Sequence, residues 1–492
     1  MADIGPRYNV DDALLVLGFG KFQWLVLLYA GMGWISEAME MMLLSCVGPS
    51  VKSQWNLTAD QESFITTVVF AGMLIGAYSW GLVSDRFGRR RGFLVTAIVT
   101  SASGFMSAVA PNYVTLLICR FVVGLGLGGG PVLFAWFLEF VPAPHRGFWM
   151  VVFQALWSIG TVVEVALAWI VIPRLGWRWL LGLSAVPSLF LLIFYGITPE
   201  SLRYLCLKGK EDDAHRILEK IAKLNGKEVP RGVLVTTNAE VQGKSLLPET
   251  APLLLSEEDE NVTCSQEKES ITGPINSLLL LLSPELIRST LLMWIVFFGN
   301  LFSYYGLVLL STELSSGSNE CSQTEMLSQS SGGVNYADVF ITSLAEFPAY
   351  ILSSVTVDIL GRKLSMVAFS VVSSIFLLPL VVHRSTRLTT ALLFGGRASV
   401  TASFTIVYLY APEIYPTSVR STGVGIASSI GRVGGAVCPL VAISLVQGCH
   451  QAAAVLLFVG VIIVSGVCSF FFPLETKGRP LVDRLAFSSN PK

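Results

Sequence analysis

Long apolar stretches alternate with short polar segments along almost the whole chain. A helix that crosses the hydrocarbon core of a bilayer needs about 20 mostly apolar residues. Twelve stretches of this kind fall into two blocks of six, which begin near Phe22, Glu62, Gly92, Tyr113, Phe148 and Trp177 and near Glu285, Tyr336, Leu364, Leu388, Ser421 and Ala452. The pattern predicts an all-α integral membrane protein with twelve transmembrane helices in two pseudo-symmetric six-helix bundles.

Composition supports a membrane protein and gives no sign of an enzyme. Apolar residues make up 53% of the 492 residues and charged residues 14%, which is more hydrophobic than a soluble domain of this length. No serine-protease triad order, zinc-binding HExxH or nucleophile elbow is present. The 8 Cys are scattered without a CxxC pair, so no metal site is indicated. Cys321 and Cys449 are both expected outside, and whether they are bonded stays open.

The distribution of Lys and Arg predicts the orientation in the membrane. Most of the 33 basic residues fall on the cytosolic side if both termini are cytosolic, as the positive-inside rule requires. The opening MADIGPRYNVDD lacks the features of a cleavable signal, so the first span is expected to act as the insertion signal. The sequon at Asn56 then lies in an outer loop and is a candidate glycosylation site, whereas Asn261 is cytosolic.

An internal duplication organises the chain. GLVSDRFGRRR matches VDILGRK, EFVPAPHRG matches PEIYPTSVRSTG, and PESLRYL matches LETKGRPL, each at a separation of about 274 residues. Three pairs in one order rarely arise by chance. Their charged residues are Asp85, Arg89, Arg90, Glu139, Arg146 and Glu200 in the first half and Asp358, Arg362, Glu413, Arg420 and Glu475 in the second.

The duplication divides the chain into an N-terminal half at residues 1–205, a linker at 206–283 and a C-terminal half at 284–492. The linker is charged and poor in aromatic residues, which is typical of a cytosolic connection. Its segment EDDAHRILEKIAKLN has the apolar spacing of a surface helix. The segment ETAPLL (Glu249 to Leu254) fits an acidic dileucine signal for a sorting adaptor, or a chance match. The plasma membrane is the expected location, with a vacuolar or endosomal membrane as the alternative.

The motif pairs resemble the major facilitator superfamily across nearly the whole chain. GFGKFQ, EAMEMMLLS, YYGLVLLSTEL and APEIYPT further resemble plant organic cation/carnitine transporter-like proteins, synaptic vesicle 2-related proteins and nicotinate permeases. The resemblance implies alternating access, with the charged loop motifs latching the cytosolic side and breaking during rocking. The chain departs from sugar porters because span seven lacks their paired glutamines, so a hexose substrate is not expected. Leu202 also replaces the second Pro of PESPR.

Two motifs suggestive of nucleotide binding have simpler explanations. GLGLGG (Gly124 to Gly129) lies inside an apolar span with no preceding strand, where small residues let helices pack closely. NAEVQGKS carries Asn238 where a phosphate-binding loop needs its first Gly. Neither motif predicts a nucleotide site.

Charged residues within the spans carry the candidate chemistry. Each would cost about 2.5–3.5 kcal/mol at the bilayer centre without a partner, so they are expected to meet in the interior. They lie on spans one, four, five, eight, ten and eleven, which line the central cavity in the family that the chain resembles. The seven residues are Glu37, Glu40, Arg120, Glu164, Glu346, Arg397 and Arg432.

A proton-coupling site is predicted on span one. Glu37 and Glu40 lie one helical turn apart, and like charges this close favour proton binding. Arg120 resembles the sugar-porter arginine that pairs with a span-one acid, so it is placed opposite Glu37 or Glu40. Four acids against three guanidiniums also leave one surplus carboxylate. A static ion-pair cluster that orients the helices is the alternative.

Arg432 is the residue that bears most on substrate choice. Transporters of simple organic cations in the resembled family have Asp at the matching place, whereas carnitine and organic-anion relatives have Arg. A guanidinium can bind a carboxylate through two parallel hydrogen bonds. Trp34, Trp157, Tyr304 and Tyr305 lie on predicted cavity helices and suit a pyridine ring or a quaternary ammonium, or serve packing alone.

Two polar stripes complete the candidate substrate site. Glu164 shares a face of span five with Gln154, Trp157 and Thr161, and Arg397 shares a face of span ten with Thr401, Thr405 and Tyr408. Glu346 lies on span eight and is expected to face the same interior. Inter-helix hydrogen bonding is the alternative role of these stripes.

The sequence therefore predicts a proton-coupled secondary transporter of a small carboxylate, with nicotinate or N-methylnicotinate favoured. A carnitine or organic cation transporter is the first alternative, and a non-transporting binding or sensor protein is the second. The expected partners are the small-molecule substrate and the lipid bilayer, and no nucleic acid. No cofactor beyond the proton gradient and no metal is expected, and the chain is expected to be a monomer.

Overall fold

A computed structural model describes residues 7–142, 146–234, 279–284, 286–315, 335–382, 385–415, 420–446 and 450–477. Several sequence-based predictions concern positions outside these ranges. They are the sorting signal at Glu249–Leu254, the expectation that Asn261 is cytosolic and not glycosylated, the NAEVQGKS segment at Asn238, and the possible bond between Cys321 and Cys449.

The first half consists of helices that continue one another or are joined by short turns. Span four is divided at Gly128 and Gly129, and span six at Ala185. The helices are α1 (Val10–Leu17), α2 (Lys21–Trp55), α3 (Ala59–Phe87), α4 (Arg89–Ala108), α5 (Tyr113–Leu127), α6 (Gly130–Leu138), α7 (Arg146–Leu175), α8 (Trp177–Ser184) and α9 (Val186–Ile193), with a 3-10 turn at Phe194–Ile197.

The linker and the second half follow the same plan, with span eight divided at Ala345. The helices are α10 (Leu202–Leu207), α11 (Glu211–Asn225), α12 (Ile287–Ser315), α13 (Tyr336–Leu344), α14 (Glu346–Leu360), α15 (Arg362–Leu377), α16 (Thr386–Ile414), α17 (Arg420–Pro439) and α18 (Gln451–Phe470). A 3-10 turn follows at Leu378–Val381 and a π-helical turn at Leu440–Leu445. Two strands of two residues each, β1 (Arg7–Tyr8) and β2 (Val233–Leu234), pair in parallel.

Ten described helices or continuous helix pairs are long and apolar enough to cross a membrane, and α2 together with α1 makes an eleventh. The axes of α1 and α2 differ by 109°, so α1 lies across the end of the long helix α2. The remaining predicted span is α4, which begins with three arginines and carries several Ser and Thr residues. It packs against α3, α5, α8 and α9, so neighbouring helices cover its polar side.

Glycines bring spans two and four into backbone contact. A Cβ on Gly124 would lie 2.1 Å from the Val69 carbonyl oxygen, and one on Gly76 would lie 2.1 Å from the Leu125 carbonyl oxygen. Only glycine allows this approach. The glycines of GLGLGG therefore serve helix packing here.

The linker helix α11 is fastened to the first half. Asn225 accepts a hydrogen bond from the Phe22 amide at 3.0 Å and donates to Gln23 at 2.9 Å, so it caps the start of α2, where the first amides have no partner within the helix. Within the first half, Arg203 of α10 binds Asp11 of α1 through contacts of 2.8 Å. Ala214, Leu218, Ile221 and Ala222 form the buried face of α11, whereas Leu224 near its end is exposed.

The two halves meet on one side of the membrane. Ser63 donates to the Pro439 carbonyl at 3.3 Å, and Thr67 donates to the Ala436 carbonyl at 3.0 Å. These residues lie near the start of α3 and the end of α17, beside the turn that carries the exposed Asn56. We call this the far side, and the opposite side, with the turns at Gly88 and Gly361, the motif side. The described contacts close the far side.

Candidate transport site at the interface of the two halves

All seven charged residues predicted inside the spans are buried in the interior. They form three groups: one within the first half, one centred on the second half, and one pair across the interface. Each group draws its residues from several helices, so the assembly requires the folded bundles.

The first group joins Glu40 of α2 with Arg120 of α5. Arg120 Nη1 lies 2.9 Å from Glu40 Oε2, and Arg120 Nε donates to Ser107 Oγ at 3.1 Å. Glu164 of α7 belongs to the same group, because Glu40 and Arg120 both act on it electrostatically. Its hydrogen-bond partner is Ser184 of α8, at 2.8 Å from each carboxylate oxygen. Of the two span-one acids, Glu40 is the one that Arg120 contacts.

The second group is centred on Glu346 at the start of α14. Arg397 Nη2 lies 2.7 Å from Glu346 Oε1, and Tyr304 OH donates to the same oxygen at 2.9 Å. Ser158 of α7 donates to Glu346 Oε2. Because Ser158 belongs to the first half, the carboxylate of Glu346 links the two halves as well as neutralising Arg397.

The third group crosses the interface between Glu37 and Arg432. Arg432 Nη1 donates to the Met73 carbonyl at 2.9 Å and acts electrostatically on Glu37. Tyr305 and Tyr408 also interact with this pair. Opposite charges among aromatic rings form a site that can accept a small charged ligand.

Glu37 also lines a cavity of about 40 Å³ inside the first half, with Thr96, Thr100 and Ser188 among its neighbours. A buried water needs about 10–15 Å³ and polar partners, so the cavity can hold more than one water. A Cβ on Gly130 would lie 2.2 Å from Glu37 Oε2. Glycine at this position therefore makes room for the carboxylate.

The predicted aromatic residues connect these groups. Trp157 Nε1 donates to Tyr304 OH at 2.8 Å, and Trp34 Nε1 donates to Gln154 at 3.1 Å. The rings of Trp34 and Trp157 are 5.2 Å apart, and those of Tyr304 and Tyr305 are 5.1 Å apart. These rings line the interior from both halves.

Pseudo-symmetry relates contacts across the interface. Span five reads SIGT and span eleven reads SIGR, so Thr161 occupies the position that Arg432 holds in the second half. Thr161 lies 3.5 Å from Glu346, while Arg432 contacts the Met73 carbonyl. Of the two equivalent positions, one therefore holds an arginine and the other a neutral residue.

Burial along the two polar stripes shows where the interior opens. On α7, Gln154 and Trp157 are half-buried, whereas Thr161 and Glu164 are buried. On α16, Thr405 and Tyr408 are half-buried and lie nearer the motif side, whereas Arg397 and Thr401 are buried. Exposure therefore increases toward the motif side on both helices.

The first-half loop motif forms a charged network on the motif side. Arg89 Nε lies 3.5 Å from Glu139 Oε1, and the Arg90 amide donates to Glu200 at 3.0 Å. Burial raises the pKa of Glu139, although Ser201 and Arg89 oppose the shift. Gly88 (φ 104°) closes the turn, and a Cβ there would lie 2.5 Å from Glu200 Oε2.

The second half repeats this network. Arg362 Nη2 lies 3.0 Å from Glu413, and the amides of Arg362 and Lys363 donate to Glu475 at 2.9 and 3.0 Å. Burial raises the pKa of Glu475, but backbone N–H donors outweigh burial, and the net pKa is lowered. The carboxyl group of Glu475 therefore stays ionised at neutral pH, and its negative charge is lost only as the pH falls through this lowered pKa.

Four predicted loop residues are not among those named in the contacts above. The side chains of Asp85, Arg146 and Arg420 lie outside what the structure describes. Asp358 is exposed on α14. The described networks join helices within one half, so they brace each bundle.

Gly361→Ala is expected to lower the thermal stability of the protein. Gly361 has φ 83° and ψ 178°, a conformation that costs other residues about 1–3 kcal/mol. A Cβ there would also lie 2.9 Å from Glu475 Cδ. Thermal unfolding of the purified protein measures the effect. Gly425→Ala is the control, because apart from its own helix backbone and chain neighbours no described atom lies within 4 Å of a Cβ at Gly425. Equal melting temperatures for the two variants would contradict the role given to this turn.

Sequence reasoning missed several polar partners. Ser158, Ser184 and Tyr350 contact buried carboxylates or other members of these groups. Ser158 had a usable signal, because its SIG segment recurs as Ser429–Gly431 in the second half. For Ser184, a single serine in an apolar span gives no such signal.

Two pseudo-symmetric bundles with charges at their interface define the major facilitator fold. A model of the family described as "Sugar (and other) transporter" matches residues 29–485, and the chain belongs to that family of membrane transporters. It is 58% identical over 500 residues to organic cation/carnitine transporter 7 of Arabidopsis thaliana, covering 100% of this chain and 99% of the relative.

More distant comparisons agree with this assignment. The chain is 36% identical to the synaptic vesicle 2-related protein of Xenopus laevis, over 96% of this chain and 82% of the relative. The inward-open structure of the xylose transporter XylE from E. coli matches with a TM-score of 0.67 at 16% identity, covering 93% of this chain and 98% of that one. The predicted membership of the major facilitator superfamily is confirmed.

Proposed function

We propose that this multi-pass membrane protein is a proton-coupled secondary transporter of a small carboxylate-bearing metabolite. Nicotinate or N-methylnicotinate is the substrate that we favour. The observation that carries the substrate class is the position of Arg432, buried at the interface of the halves beside Glu37 and the aromatic rings. A guanidinium there can bind a carboxylate through two hydrogen bonds, while the rings contact an aromatic substrate.

The contacts across the interface support alternating access. The bonds from Ser158 to Glu346, from Arg432 to the Met73 carbonyl and from Thr67 to the Ala436 carbonyl all join the two halves. Rocking of one bundle against the other would break them and open the far side. Arg432 would then lose its carbonyl partner and become free to bind a carboxylate.

With both termini in the cytosol, the motif side is cytosolic, and the structure corresponds to an inward-facing state. We place the protein in the plasma membrane, with a vacuolar or endosomal membrane as the alternative. The proton gradient supplies the energy, and Glu37, Glu40 and Arg120 are the proposed coupling residues.

A carnitine or organic cation substrate is the second candidate. Similarity to organic cation/carnitine transporter 7, at 58% identity, favours it. Glu37 also favours it, because its carboxylate lies near Tyr305 and suits a quaternary ammonium. The two candidates differ in the part of the ligand that dominates binding: the carboxylate at Arg432, or the cation at Glu37 and the rings.

Uptake of labelled nicotinate and labelled carnitine into transport-deficient cells, at two pH values, separates these candidates. We expect saturable nicotinate uptake that is faster at the lower external pH. Saturable uptake of carnitine alone would favour the second candidate. Absence of saturable uptake of either compound by protein present at the membrane would refute the substrate class and favour a binding or sensor protein.

A further inference from the structure

Two carboxylates share one guanidinium in the first half. Arg120 lies 2.9 Å from Glu40. Glu164 is completely buried, and among the described residues no Lys or Arg nitrogen lies within ion-pair distance of it. An uncompensated buried carboxylate anion is strongly disfavoured. Arg120 contacts Glu40, Arg397 contacts Glu346 and Arg432 acts electrostatically on Glu37, so we assign Glu164 as the surplus acid in this conformation.

The hydrogen bonds of Ser184 point to the protonation state of Glu164. Ser184 Oγ lies 2.8 Å from both carboxylate oxygens of Glu164 and 2.8 Å from the Leu180 carbonyl oxygen. A hydroxyl has a single hydrogen to donate. If that hydrogen goes to Leu180, the contact with Glu164 needs a hydrogen from the carboxyl group. A protonated Glu164 satisfies both contacts at once.

The surroundings of Glu164 provide no other compensating charge. The groups that act on it or on its neighbours from α2 and α5 are Glu40, Cys46 and Arg120. The other helices packed against α7 also carry charged groups, but these have partners elsewhere or lie at a surface. Arg178 binds the Ala108 and Ala110 carbonyls, and Asp338 binds Thr390. Glu346 pairs with Arg397, and Asp358 is exposed.

We propose that Glu164 is the proton-binding carboxylate of this conformation and that Arg120 stabilises it after the proton leaves. In the release step, the O–H bond of Glu164 breaks, the proton passes to water in the interior, and the carboxylate anion pairs with Arg120. Arg120 has a donor available for this pairing, because its buried Nη2 has no hydrogen-bond partner among the described residues, and the same holds for Glu40 Oε1.

This proposal moves Glu164 from substrate binding to proton binding. Its contribution to coupling rests on the proposed transport function, whereas the presence of the proton does not. The two ideas can therefore fail separately.

Infrared difference spectroscopy of the full-length protein in liposomes at pH 7 tests the proposal without a substrate. The wild-type spectrum minus that of Glu164→Gln is expected to contain the C=O stretch of one protonated carboxylic acid, shifted in D₂O. The same difference with Glu346→Gln, a matched control whose buried carboxylate contacts Arg397 and not Arg120, is expected to lack that band. A Glu164→Gln difference without the band, or the band in the Glu346→Gln difference, would overturn the proposal.

Ser184→Ala provides a second test, which keeps the carboxyl group in place. Removing its hydrogen-bond acceptor is expected to shift the frequency of the Glu164 band while leaving its amplitude unchanged. An unchanged frequency would contradict the hydrogen bond from Glu164 to Ser184. Monodisperse elution of each variant shows that it is folded, and the spectra remain interpretable whether or not nicotinate or carnitine is transported.

Discussion

Arg397→Ala is expected to destabilise the protein by about 3–5 kcal/mol, the cost of leaving a buried charge without its partner. Arg397 makes two contacts with Glu346 and one with Ser343, and its removal leaves the carboxylate of Glu346 in the interior without a cation. Thermal unfolding in detergent, followed by the fraction of protein that remains monodisperse, measures the loss.

Two controls separate this effect from a general loss of packing. Arg203→Ala removes an exposed pair with Asp11 and is expected to cost about 0–1 kcal/mol. Combining Arg397→Ala with Glu346→Gln removes both charges and is expected to recover part of the lost stability. An Arg397→Ala protein as stable as the Arg203→Ala protein would show that the pair is not needed for the fold.

Arg432→Ala is expected to weaken nicotinate uptake about tenfold to a hundredfold, because a hydrogen bond to a charged group contributes about 1.5–3 kcal/mol. The loss should appear mainly in the apparent affinity, with the amount of folded protein at the membrane unchanged. Uptake rates over a range of nicotinate concentrations measure it.

Arg432→Lys is the matched variant for this prediction. It retains the positive charge but loses the bidentate hydrogen-bonding geometry that fits a carboxylate, so an intermediate affinity for nicotinate is expected. Thr161→Ala, at the pseudo-symmetric position on α7, should affect affinity less. Unchanged nicotinate affinity in Arg432→Ala would remove the reason for assigning a carboxylate substrate.

Most of the fold could be predicted from the sequence, because apolar stretches of spanning length and recurring loop motifs are local signals. The turns at Gly88 and Gly361 follow directly from the duplicated motifs. The division of span eight at Ala345 has a local signal that the sequence reasoning did not use, because Pro348 has no amide hydrogen to continue the hydrogen bonding of the helix. The polar character of α4 is tolerated because neighbouring helices cover it, which is a tertiary effect.

The candidate site was less predictable. The cost of burying charges identified Glu40, Arg120 and Arg397 as interior residues, but helical spacing could not decide which acid each arginine contacts. The pairing of Arg397 with Glu346 depends on how α14 and α16 pack. Ser184 became relevant only when its hydroxyl was seen beside Glu164, because single serines are common in packed membrane helices.

Accumulation of labelled nicotinate by proteoliposomes with an imposed pH gradient tests the central proposal most directly. With the outside more acidic, the wild-type protein is expected to concentrate nicotinate above its external level, and collapse of the gradient with a protonophore should release it. Empty liposomes provide the control for passive entry of the neutral acid. Accumulation equal to that of empty liposomes, or accumulation that persists without the gradient, would contradict proton-coupled carboxylate transport.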